Sequence, residues 1–154
     1  MATSTKTCLI VDDSKMIRRV ATRILRELKF EPCEAGDGRE AMEICKGAMP
    51  DAILLDWNMP VMDGLSFLKA LRSTKGGTKP VVVFCTAERD VIKIAEALDA
   101  GADEYIMKPF DSDILGAKFS EVGLLDQGRC PRANYAQNNG TQNHGTQTTA
   151  QAQL

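Results

Sequence analysis

Residues 51–64 read DAILLDWNMPVMDG. The run Ala52-Ile53-Leu54-Leu55 is apolar throughout, not alternating, which predicts a strand covered on both faces, as in a parallel sheet flanked by helices. It ends on a carboxylate, Asp56, and the chain then turns through Asn58, Pro60 and Gly64. A strand built for burial that delivers a charged group at its carboxyl end marks a candidate site.

Working outward, runs at 7–11, 32–35, 81–85 and 104–107 are also short, mostly rich in Ile, Val, Leu or Cys, and read as buried strands. Between them, 14–28, 38–48, 65–73, 91–100 and 111–124 carry apolar residues at helical spacing. Ile17, Val20, Ala21, Ile24, Leu25 and Leu28 form one continuous stripe. Ser14, Asp90 and Asp111 are candidate N-caps. Five strands alternating with five helices predict right-handed crossovers and an α/β fold, a doubly wound parallel sheet with helices on both faces.

Composition narrows the function. The 154 residues carry 19 basic and 21 acidic side chains, a formal charge of −2, so there is no overall pull toward nucleic acid or anionic membrane. No apolar stretch approaches the ~20 residues of a membrane span, and the opening MATSTKTCLIVDDS is not a secretory signal. Cys8, Cys33, Cys45, Cys85 and Cys130 are odd in number and contain no C-x-x-C, the pattern of reduced thiols in a cytoplasmic protein. After Leu125 large aliphatic side chains almost vanish. Residues 1–125 are therefore expected to form the folded domain, and the Gln/Asn/Thr-rich 126–154 a disordered tail.

Ligands of an open parallel sheet bind beyond the carboxyl ends of its strands. The residues expected there are Asp12 and Asp13, Asp56, Thr86 and Lys108: three carboxylates, a hydroxyl and an ammonium on one edge. Clustered carboxylates require a counter-charge, and hard oxygen donors suit Mg²⁺ with room for phosphate oxygens. The set fits a metal plus a phosphoryl group.

VDDS at 11–14, LLDWNMPVMDG at 54–64, CTAE at 85–88 and YIMKPF at 105–110 together resemble the receiver domain of two-component response regulators over residues 6–125, nearest the single-domain chemotaxis type. The resemblance implies a flavodoxin-like fold with strand order 2-1-3-4-5. It implies that Asp56 is the phosphoacceptor, that Asp13, Asp56 and the Asn58 backbone carbonyl bind Mg²⁺ with Asp12 close by, and that Lys108 and Thr86 contact the phosphoryl oxygens. Thr86 and Tyr105 become a switch pair, and Asn58 and Glu88 tune dephosphorylation. The implied partners are a histidine kinase or phosphotransfer protein and a downstream target on the fourth helix, fifth strand and fifth helix. The chain is expected to be a monomer without a DNA-binding domain, serving chemotaxis or another phosphorelay, and not an enzyme beyond its own phosphorylation and dephosphorylation.

Rival readings have discriminating residues. An aspartate-nucleophile phosphatase needs a second aspartate two residues after the nucleophile, where this chain has Asn58. A flavodoxin needs a phosphate loop after the first strand, where Asp12 and Asp13 repel phosphate. A receiver-fold binding module without phosphorylation is a third reading; its tail arginines, Arg129 and Arg132, suit an anion such as a cyclic dinucleotide. STKGGTKP at 73–80 lacks G-x-x-x-x-G-K-[ST] and reads as a flexible loop.

Overall fold

The computed structural model describes residues 5–86 and 91–125. The expectations for Glu88, Asp90, Arg129, Arg132, Cys130 and the tail lie outside these residues. Five strands, β1 (Thr7–Val11), β2 (Glu31–Ala35), β3 (Ala52–Asp56), β4 (Val81–Thr86) and β5 (Glu104–Met107), alternate with α1 (Lys15–Glu27), α2 (Gly38–Gly47), α3 (Gly64–Arg72), α4 (Val91–Asp99) and α5 (Ser112–Glu121). All strand pairs are parallel, in the order β2-β1-β3-β4-β5. The fold is the expected doubly wound, flavodoxin-like one.

The chain divides into two compact units, Met1–Ser112 and Asp113–Leu154. The first holds the sheet and α1 to α4; the second holds nearly all of α5, in which Leu115 and Phe119 are buried.

Within the first unit, alternate strand residues point to opposite sides. Leu9, Val11, Ile53, Leu55, Val82 and Phe84 pack with Ala41 and Cys45 of α2, Phe67, Leu68 and Leu71 of α3 and Ala97 of α4. Facing the other way, Ile10, Leu54 and Cys85 line a small cavity with Ile17 and Ala21 of α1. β3 is buried along its whole length, as its unbroken apolar run requires.

The expectation of burial fails at β2, where Glu31 and Glu34 are exposed and only Ala35 is fully buried. β2 is an edge strand paired with β1 alone, which is also why it tolerates Pro32. β5, at the opposite edge, fully buries only Ile106.

Side chains cap the helices that carry the loops of interest. Ser14 accepts from Ile17 N at 3.3 Å, Asp37 from Glu40 N at 2.9 Å and Asp63 from Ser66 N at 2.8 Å. The 73–80 stretch is a clamped loop, not a slack one. Arg72 Nη1 donates to Gly77 O at 2.8 Å and Pro80 O at 2.9 Å, and its other nitrogens reach Gly101 O at 3.0 and 2.7 Å and Asp103 at 3.2 Å. The parent helix thus closes the loop, which periodicity cannot reveal.

Candidate functional site

Parallel pairing fixes where the polar residues emerge. Val11 is level with Leu55, and Asp56 with Cys85, so Asp12, Asp56 and Thr86 leave neighbouring strands at one edge. β5 adds Lys108, whose backbone N–H donates to Thr86 O at 2.9 Å, one rung past the Thr86 and Met107 pair.

Asp12, Asp13 and Asp56 each offer a carboxylate oxygen, and the three lie within 4.8 Å of one another. Asp12 is 3% exposed and Asp56 9%, while Asp13 faces solvent. The Lys108 ammonium sits between the two buried carboxylates, 2.8 Å from Asp12 Oδ2 and 3.0 Å from Asp56 Oδ1. Asp12 Oδ1 also accepts from Ser14 N at 2.9 Å, so the helix cap and the acidic turn share one loop. Among the described residues, one ammonium faces three carboxylates, which leaves an excess of negative charge there. A cluster of hard oxygens with that excess fits a divalent cation.

Burial raises the Asp56 carboxyl above its ordinary value; the hydrogen bond from Lys108 pulls it down and the Asp12 charge pushes it up. For Lys108, burial alone would lower the ammonium, but its bonds to Asp12 and Asp56 prevail and its value is raised. Lys108 therefore stays charged. Cys85, level with Asp56, is pushed up to about 12, chiefly by burial, and is an inert thiol.

Thr86 is 7% exposed. With half-buried Tyr105 it lines a small open pocket, together with Trp57, Phe84 and Ile94. The Trp57 and Phe84 rings lie 5.1 Å apart at 44°, and Lys93 Nζ sits 5.6 Å from the Trp57 ring centre. Asn58 is exposed in the loop after β3. Asp12, Asp13, Asp56 and Lys108 thus meet at one edge, and Thr86, which leaves β4 at the same edge, shares a pocket with Tyr105.

Three contributors escaped the sequence reading. Arg18 donates to the Asp12 carbonyl at 2.7 Å, Lys93 covers Trp57, and Gly64 lets α3 approach β3: a Cβ there would lie 2.1 Å from Asp56 O. Only the glycine left a trace, as the last residue of the turn after Pro60.

Comparison with known proteins agrees with this arrangement. The response regulator receiver domain family matches residues 8–120. The chemotaxis protein CheY of Pseudomonas aeruginosa is 36% identical over 115 residues, 74% of this chain and 93% of that protein. CheY-3 of Vibrio cholerae is 38% identical over 115 residues, 74% of this chain and 88% of its own. Among solved structures, the Vibrio cholerae chemotaxis protein CheY4 superposes with a TM-score of 0.74 at 34% identity, covering 77% of this chain and 99% of that one. With order, pairing and edge chemistry in agreement, the chain belongs to the response regulator receiver domain family, in its CheY-like form.

Proposed function

We propose that this chain is a phosphorylation-controlled switch whose phosphoacceptor is Asp56, charged by a histidine kinase or a phosphotransfer protein and read by a separate target protein. The observation that carries this reading is the Lys108 ammonium held between Asp12 and Asp56 at 2.8 and 3.0 Å. That geometry sets a nucleophilic carboxylate in a largely water-free setting against a cation that favours its charged form and can pair with an incoming phosphoryl oxygen.

In the step itself, an Asp56 carboxylate oxygen forms a bond to phosphorus, the bond from phosphorus to the donor breaks, and the donor leaves with that electron pair. Lys108 then pairs with a phosphoryl oxygen, and the Thr86 hydroxyl donates to another. Asp12, Asp13, Asp56 and the Asn58 carbonyl would hold Mg²⁺, which when bound supplies positive charge against the incoming anion. Asn58 and Glu88, two residues after Asp56 and Thr86 in sequence, would tune access of the hydrolytic water. The amide at Asn58 cannot act as the general acid of a phosphatase.

For the output, Thr86 turning toward the phosphoryl group would make room for the Tyr105 ring in the pocket they share, altering α4 and β5 for a target. Residues 1–125 would be the switch, with 126–154 dispensable for phosphorylation. Four unpaired thiols, Cys8, Cys33, Cys45 and Cys85, support a reducing cytoplasmic setting, and no helix among the described residues is long and apolar enough to cross a membrane.

The test is acid-labile phosphate after exposure to Mg²⁺ and acetyl phosphate. The unsubstituted chain should incorporate it, Asp56→Asn should not, and equal incorporation in both would overturn the assignment. Thr86→Ala should still accept phosphate, while beryllofluoride-induced amide NMR shifts near Tyr105 should shrink.

A further inference from the structure

The turn that carries Asp12 and Asp13 is held from outside the acidic cluster. Asp12 N–H closes the last rung to β2, donating to Ala35 O at 3.1 Å, and α1 opens with Arg18 N donating to Ser14 O at 3.0 Å. The Asp12 carbonyl falls between ladder and helix, and accepts from Arg18 Nη1 at 2.7 Å. Nε of the same guanidinium donates to Glu34 Oε1 at 2.9 Å, and Thr22 Oγ1 donates to Glu34 Oε2 at 3.4 Å. The Arg18 side chain is only 18% exposed, and its planar fork spans two acceptors on different elements.

We propose that Arg18, set in place by Glu34, is a positioning residue for the metal and phosphoryl site, acting by fixing the peptide group between Asp12 and Asp13. The idea rests on the phosphoacceptor reading. The Asp12 carbonyl and the Asp13 N–H belong to one planar unit, so pinning the oxygen stops that plane from rotating and sets the direction in which Asp13 leaves it. Asp12 has its own restraints, from Ser14 N–H and from Lys108. Asp13 is exposed and gains no orientation from burial. The member of the cluster that the interior does not hold is thus the one whose backbone Arg18 holds. The guanidinium also brings a positive charge to the outer side of an acidic turn.

The experiment titrates Mg²⁺ into the full chain, following emission of its one tryptophan, Trp57, in the unsubstituted protein, Arg18→Met, Arg18→Lys and Glu34→Gln. Melting without metal is recorded for each. Arg18→Met keeps the aliphatic stem and should weaken Mg²⁺ by about 10-fold, the scale found when an outer partner of a metal ligand is lost. Glu34→Gln should weaken it less, and Arg18→Lys should recover only part, because a point charge cannot span both acceptors. With acetyl phosphate, the Mg²⁺ concentration for half-maximal phosphorylation should rise far more than the limiting rate falls. An Mg²⁺ affinity unchanged in Arg18→Met, whatever its melting temperature, would overturn the inference and leave Arg18 a structural residue. Should Arg18→Met not fold, Glu34→Gln and Arg18→Lys decide by the same criterion. Absence of any Mg²⁺ response in the unsubstituted protein would instead overturn the metal site itself, and the role of Arg18 with it.

Discussion

Gly64→Ala should destabilise the protein far more than a single methyl group ordinarily does. Gly64 begins α3 where the helix passes over the end of β3, and an added Cβ would lie 2.1 Å from Asp56 O, 3.0 Å from Phe84 Cε1 and 3.1 Å from Asp56 C. Non-bonded heavy atoms rest at about 3.5 Å, so roughly 1.4 Å of movement is needed. Phe84 is 1% exposed and gives no room on that side. Either the Asp56 peptide rotates, or α3 retreats. Retreat strains the 2.9 Å bond from Gly64 N to Trp57 O and the Asp63 cap on Ser66. Overpacking of this kind costs about 1–3 kcal/mol, and a weakened hydrogen bond adds about 1 kcal/mol. The loss should lower the melting temperature by on the order of 10 °C. Because the obstructing atom is the carbonyl of Asp56, phosphorylation should slow as well. Gly47→Ala is the control: nothing lies within 4 Å of its Cβ position, it is the exposed last residue of α2, and it should be neutral or stabilising by up to about 1 kcal/mol. Circular dichroism melts and urea titrations of both variants test the argument. A Gly64→Ala protein that melts with the unsubstituted one would refute the claim that α3 and β3 have no slack here.

Three further outcomes follow from other contacts. Asp56→Asn, measured without Mg²⁺, should melt higher than the unsubstituted protein at pH 7: burial raises the Asp56 carboxyl in the folded state, so that group's contribution to stability falls as pH rises through its ordinary value toward the raised one. The advantage should shrink on acidification, and a variant less stable at pH 7 would contradict it. Cys45, 3% exposed, has its thiol pushed up from 9.0 to about 11, mainly by burial, so its contribution is complete below pH 9 and lost as pH rises toward 11; urea midpoints should drop over that range, and less so in Cys45→Ala. Arg72→Lys should cost about 2–3 kcal/mol in urea unfolding, because one ammonium cannot serve Gly77 O, Pro80 O and Gly101 O together, and a cost near zero would show that the loop closes without the fork.

The chain reveals its local geometry directly, because strand and helix impose periods of two and 3.6 residues on whatever apolar pattern is present. Ala52 to Leu55 and Val81 to Phe84 read as buried strands, and the stripe from Ile17 to Leu28 as one helix face, of which Ala21, Ile24 and Leu25 are buried while Val20 is exposed. Alternation of the two periods implied parallel pairing, and parallel pairing implied that Asp12, Asp56, Thr86 and Lys108 emerge at one edge. That much is legible in the sequence.

What the chain could not announce was anything set by the identity of a distant neighbour. Position at the sheet edge, not composition, exposed β2 and allowed Pro32. The partners of Arg18, Arg72 and Lys93 lie across turns and on other elements, 16 residues away for Arg18 and Glu34 and 31 for Arg72 and Asp103. A charged side chain reads the same in sequence whether it is solvated or clamping a carbonyl. The raised carboxyl of Asp56 likewise depends on how much water reaches it and on an ammonium 52 residues away. Residue type and spacing determined which groups would arrive at the site. Tertiary packing decided their distances, their burial and hence their charge, because those depend on through-space neighbours that the one-dimensional pattern does not encode.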